Sequence, residues 1–191
     1  MNKPIDQIKL YGLNRIFSEL IDLFTTKKLP NKILLSGSKG CGKATLAYHF
    51  INYVLSINDV NSYNIEANEI NVENTSFKLI KNGSHPNFYL IDLFENKKNI
   101  EISQIRKMIN YANKSSFNNE ARFVLIDNVE FLNTNSSNAL LKIIEEPNEN
   151  LFFILIHNDS KKIIKTLKSR CLEFKINLTF DQSIYTANCL L

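Results

Sequence analysis

The sequence predicts an α/β domain built on a mostly parallel sheet with helices on both faces. Three observations carry that prediction. Five short apolar runs, "KILLSG", "NFYLID", "RFVLID", "LFFILIH" and "CLEFKI", read as buried strands. Stretches with helical spacing alternate with them, the pattern of a parallel sheet covered by helices. A glycine-rich turn, "GSKGCGK", joins the first run to the helix after it.

The elements follow in order. Leu10 to Phe24 places Leu13, Phe17, Leu20, Ile21 and Phe24 at helical spacing, and Pro30-Asn31 ends that segment. "KILLSG" is the first strand. The helix after the glycines is expected from Lys43 to about Ser56, with Leu46, Phe50, Tyr53 and Val54 inward. Residues 58–74 are Asn-rich and lack a clear period, so a long surface excursion is expected there. A short helix over Thr75–Ile80 is stopped by Asn82-Gly83. "NFYLID" is the second strand, and Ser103 is the expected N-cap of a helix through Ile105, Met108, Ile109 and Ala112. "RFVLID" is the third strand, followed by a helix from Asn135 to Glu145 that ends before Pro147. "LFFILIH", a short helix over Lys161–Lys168 and the strand "CLEFKI" complete the domain. There are no internal repeats. One domain is expected over residues 1–177, with 178–191 starting a further helical element.

Composition sets outer bounds. The 191 residues are 44% hydrophobic and 22% charged, as in an ordinary globular protein with a sizeable core. A net charge of +4 permits contact with nucleic acid but does not argue for it. Lys161, Lys162, Lys165 and Lys168 do not share one helical face and have no aromatic stacking platform beside them. Cys41, Cys171 and Cys189 form no C-x-x-C pair, so a structural zinc site is not expected, and so sparse a set of thiols suits a reducing, cytoplasmic setting. The first residues lack the apolar core of a signal peptide, and "LFFILI" is too short to cross a bilayer.

The chemistry concentrates at two places. Gly37, Ser38, Lys39, Gly40, Cys41, Gly42 and Lys43 satisfy G-x-x-x-x-G-K, a phosphate-binding loop. Glycines let the backbone approach a phosphate closely, and the N–H groups at the helix start point at it. Lys43 would reach the β- and γ-phosphates. The hydroxyl that normally holds Mg²⁺ is missing, because Ala44 stands there; Thr45 is one position on and points elsewhere around the helix. The loop is read as a cradle for ATP without effective metal chemistry, against a glycine turn that holds no ligand. At the end of "RFVLID", Asp127 either orients Mg²⁺ and its water or caps the following turn. The next residue, where an acidic group commonly positions the attacking water, is Asn128, whose amide takes up no proton at neutral pH. Two losses, Ala44 and Asn128, point away from hydrolysis. His85 and His157 read as a turn residue and a strand-end residue.

Three further stretches add a resemblance. "NSSNALLKIIEEP", "FILIHND" with the later "SRC", and "GSHPNFYLID", together with "GSKGCGKATLA", resemble clamp-loader subunits of the AAA+ class in order and spacing. The delta-prime subunit family of bacterial DNA polymerase III is the most similar in pattern, over about residues 8–176. The resemblance implies a P-loop AAA+ (RecA-like) three-layer domain with a five-stranded sheet, and a helical lid starting in residues 178–191. It implies that Arg170 is an arginine finger placed in trans against a neighbour's ATP, that Ser169 and Cys171 set the turn that aims it, and that Asn158 is the polar sensor beside the γ-phosphate. A guanidinium suits that task, being always charged and forked. The residue-level alternatives stay open: a surface ion pair for Arg170, a turn role for Asn158, and a partner-facing or solvated helix end for Glu145 and Glu146. The implied partners are the tau/gamma and delta subunits, and through the assembly the sliding clamp and primer–template DNA. The four-cysteine zinc module that some members carry near residues 50–80 has no counterpart here. Two other functions remain: an active AAA+ ATPase that uses Thr45 in place of Ala44, and a P-loop phosphotransferase acting on a metabolite.

Overall fold

The computed structural model describes residues 3–94, 97–114, 120–146, 148 and 150–190. The chain folds as two compact units, Met1–Leu29 with Gly40–His85 and Ile176–Leu191, and Pro30–Lys39 with Pro86–Lys175.

The second unit holds the sheet. Its strands are β1 (Lys32–Gly37), β2 (Phe88–Ile91), β3 (Arg122–Ile126), β4 (Leu151–Asn158) and β5 (Leu172–Lys175). They pair in the order β2-β3-β4-β1-β5, and every pairing is parallel. All five apolar runs of the sequence are therefore strands, and the expected mostly parallel sheet is wholly parallel. Val124, Ile126, Phe153 and Leu155 from the sheet pack with Met108 and Ile144 from the helices α4 (Ile102–Ala112) and α5 (Thr134–Glu145). A four-residue helix, α6 (Lys165–Lys168), anchors through the buried Leu167.

The first unit holds α1 (Asn14–Thr25), α2 (Lys43–Leu55), α3 (Thr75–Lys81) and α7 (Phe180–Leu190). Phe17 of α1 meets the rings of His49 and Tyr53 on α2 and of Tyr63, all edge-on or tilted within 6.5 Å.

Several boundaries differ from expectation for identifiable reasons. α1 starts at Asn14 rather than Leu10. Gly12 is left-handed at φ +71°, and the Leu10 N–H donates to the Asn68 carbonyl instead of a helical partner. Ser103 does not cap α4. Glu101 does, in a reciprocal capping box with Gln104. Asn133 caps α5 by accepting from Ser136 N–H at 2.8 Å. The helix expected over Lys161–Lys168 is only its second half. A turn occupies 158–161, closed by Lys161 N–H donating to Asn158 O and by His157 Nε2 donating to Lys161 O. Residues 58–74 are not merely a surface excursion, since Tyr63, Ile70 and Asn74 are buried and Glu69 bridges both Lys9 and Asn64. Those anchors are single residues, so they leave no period to read. Pro147, taken as the stop of α5, lies outside the described residues. Among the described residues no helix is long and apolar enough to cross a membrane.

Candidate functional site: a phosphate loop, its neighbouring strand ends and an exposed arginine

β1 ends at Gly37, and Ser38, Lys39 and Gly40 follow as exposed loop. Gly40 and Gly42 hold φ of +86° and +85°, backbone that side chains rarely adopt. A Cβ on Gly40 would meet nothing within 4 Å, so that backbone is open to a ligand. A Cβ on Gly42 would come 3.0 Å from Leu13 Cδ1, so packing as well as φ requires glycine there. Gly42 is the N-cap of α2, and no side chain caps the helix start. The positive end of this 13-residue helix suits an anion. Cys41 is buried, and the buried Lys43 carries its Nζ 3.6 Å from Cys41 Sγ. Ala44 and Thr45 are half-buried on the first turn of α2. Glycine freedom, an uncapped helix start and a lysine fit a polyphosphate; the missing hydroxyl at Ala44 does not fit a Mg²⁺ ligand.

The parallel register brings a second group of residues to the C-terminal strand ends. Gly37 pairs with Asn158, and Asp159 N–H donates to Gly37 O at 3.2 Å. Asn158 thus lies beside the start of the loop. Its Oδ1, however, accepts from Ser160 N–H and Oγ–H at 3.2 and 2.9 Å, which is turn duty. Asp127 follows β3, and its Oδ1 accepts from Asn128 N–H at 2.7 Å. Asn128 is left-handed, φ 58°, a conformation that asparagine tolerates better than most residues. Its Nδ2 donates to Asp92 Oδ1 at 2.8 Å. The Asn128 amide is thereby tied to the residue that follows β2. Two carboxylates make contacts that the sequence does not show. Asp92 holds Asn128, and Glu130 Oε2 accepts from Asn158 N–H at 3.2 Å. Both act across gaps of 28 residues or more, for which a single sequence carries no signal.

Arg170 belongs to a separate cluster. It is exposed, just beyond α6. Its Nε donates to Glu145 Oε1 at 3.0 Å, Nη2 lies 2.8 Å from the same oxygen, and Nη1 donates to Thr166 O at 2.9 Å. Glu145 is therefore an ion-pair partner rather than a purely solvated helix end, while Glu146 is exposed. Ser169 Oγ donates to Thr166 O and Cys171 Sγ to Leu167 O, so both tie down the turn around Arg170. Burial pushes the Cys171 thiol up to about 11, leaving it protonated and unreactive. On β5, Glu173 accepts from Ser36 Oγ at 2.7 Å and pairs with Lys168 at 2.9 Å. Burial alone would raise its pKa, but the hydrogen bonds from Lys168 and Ser36 win and hold the carboxyl below its ordinary value.

The family model described as DNA polymerase III, delta subunit, matches residues 12–179. The chain belongs to the DNA polymerase III delta-subunit family of clamp-loader proteins. It is 34% identical over 185 residues to the DNA polymerase III subunit gamma of Buchnera aphidicola from Schizaphis graminum, covering 96% of this chain and 48% of that protein. It is 29% identical over 140 residues to the subunit delta' of Pseudomonas aeruginosa, covering 73% of this chain and 41% of the other. The chain thus spans less than half the length of these two relatives. A solved Thermotoga maritima protein related to the gamma subunit has the same fold, with a TM-score of 0.54 at 15% identity over 89% of this chain and 47% of that one. The all-parallel sheet with a glycine loop between β1 and α2 is the P-loop AAA+ (RecA-like) α/β fold that the family predicts.

Proposed function

We propose that this clamp-loader family member is a delta-prime-like arm of the loader, acting in DNA replication. In this role it holds ATP without turning it over and supplies Arg170 to the ATP of an adjacent gamma or tau subunit. Gly37, Ser38, Lys39, Gly40, Cys41, Gly42, Lys43, Ala44 and Thr45 would hold the nucleotide, with Asp127 and Asn158 at their strand ends. At the neighbour's site ATP would bring the reactive γ-phosphate, and the neighbour would supply the base and the Mg²⁺-holding hydroxyl, whose places in this chain are taken by Asn128 and Ala44. The delta subunit, the sliding clamp and primer–template DNA are the further partners of the assembly.

The observation that carries the proposal is the state of the base position. Asn128 is neutral and its amide is donated to Asp92, so this side chain withdraws no proton from water. Ala44 removes the metal's hydroxyl as well. Arg170, by contrast, is exposed and charged, and each of its terminal nitrogens keeps an N–H for an oxyanion.

A second proposal, an active ATPase, draws on the 34% identity to a gamma subunit. Steady-state phosphate release by the purified chain separates the two. The arm predicts release no faster than that of Lys43→Ala, with ATP binding weakened by the same substitution. Turnover that disappears in Lys43→Ala refutes the non-hydrolysing arm and supports the second proposal.

A further inference from the structure

We infer that Glu145 is the positioning residue of Arg170; this inference rests on the proposed role of Arg170 as a finger in trans. An arginine on an exposed turn ordinarily visits many rotamers, and a finger that must meet a phosphate across an interface loses rate with every wrong orientation. Here the guanidinium is held on two sides. Glu145 Oε1 takes Nε at 3.0 Å and sits 2.8 Å from Nη2, while the Thr166 carbonyl takes Nη1 at 2.9 Å.

The elements that carry these groups are fixed by the core. Ile144, next to Glu145, and Leu167, one residue from Thr166, are 0% and 1% exposed in the same apolar cluster. The spacing between carboxylate and guanidinium is therefore set by buried packing and not by chance contact at the surface. Contact along the Nε edge also matters. Each terminal nitrogen still keeps one N–H for phosphate oxygens. The pair itself is poorly suited to stabilise the fold, because its side chains are 38% and 50% exposed and such pairs are screened by water. A well-formed, half-exposed pair at the one arginine assigned to a neighbour's nucleotide points to aim rather than stability.

The test compares loaders reconstituted from gamma or tau, delta and this chain as wild type, Glu145→Ala, Glu145→Gln, Glu146→Ala or Arg170→Ala. Glu145→Ala should lower clamp- and DNA-stimulated turnover about tenfold, with melting temperature and loader assembly unchanged. Glu145→Gln keeps the Oε1 acceptor and should recover most of the rate. Glu146→Ala should match wild type. Glu145→Ala combined with Arg170→Ala should be no slower than Arg170→Ala alone. In the chain by itself, the Arg170 Nε–H resonance should be resolved in the wild type and averaged in Glu145→Ala.

Increased turnover in Glu145→Ala would make the pair a restraint and overturn the inference. So would an unchanged rate in Glu145→Ala beside a large loss in Arg170→Ala, or an averaged Nε–H resonance in the wild type. An unchanged rate in Arg170→Ala, or a chain that enters no loader, refutes the finger itself and this inference with it.

Discussion

Acid should loosen the packing of α2 through one side chain, His49. The imidazole is fully buried on α2, with Nε2 3.0 Å from Gln7 O and Nδ1 2.8 Å from Tyr63 Oη. The carbonyl only accepts, so Nε2 carries the proton and Tyr63 donates to Nδ1. Desolvation favours the neutral ring and moves the pKa from 6.5 to about 4, against a smaller upward pull from the Gln7 hydrogen bond. The folded value lies below the unfolded one, so the stabilising effect is fully present above pH 6.5 and fades as pH falls toward 4. The gap of about 2.5 units corresponds to about 3 kcal/mol. Urea unfolding of wild type and His49→Gln, followed from pH 7.5 to 4, isolates it because both chains share every carboxylate. The difference between the two should shift by most of that amount, in favour of His49→Gln as pH falls. Parallel curves, or an imidazole that titrates near 6.5 in the folded chain, would refute the reasoning.

Substitutions at three other places probe the loop, the strand end and the sheet unit. Gly42→Ala forces a left-handed alanine, at about 1–2 kcal/mol, and also crowds Leu13. Gly40→Ala meets only the backbone cost, so urea unfolding should show Gly42→Ala as the more destabilised, and equal losses would contradict the packing at Leu13. Asn128→Gly keeps the left-handed turn and loses only the bond to Asp92, whereas Asn128→Ala loses both and should unfold at lower urea; the reverse order would contradict the φ assignment. Arg122, 4% exposed, donates to the carbonyls of Tyr111 and Lys114 and stacks on the Tyr111 ring at 4.3 Å. Arg122→Met should cost about 2–3 kcal/mol, read as a fall in melting temperature, and a change below 1 °C would count against that network.

Much of the fold was legible because buried parallel strands leave continuous apolar runs, and all five runs became strands. The phosphate loop was legible because glycine spacing is a local signal. Helix starts were less so: Glu101 and Asn133 cap α4 and α5, and the choice among neighbouring polar residues depends on backbone angles that the sequence does not display. Residues 58–74 hid their packing because Tyr63, Ile70 and Asn74 each fill a separate place instead of forming a stripe. At the site, the residue types at Ala44, Asn128 and Arg170 could be named from the sequence. The contacts of Asn128 with Asp92, of Asn158 with Glu130 and of Arg170 with Glu145 could not, since they join segments that only the folded sheet and helices bring together.

Clamp- and DNA-stimulated ATP turnover by a loader carrying wild-type chain or Arg170→Ala tests the central claim most directly. An arginine supplied in trans is worth about 10³–10⁵ in rate, so the substitution should nearly abolish turnover while the neighbour still binds ATP. Equal rates in the two loaders would contradict the account.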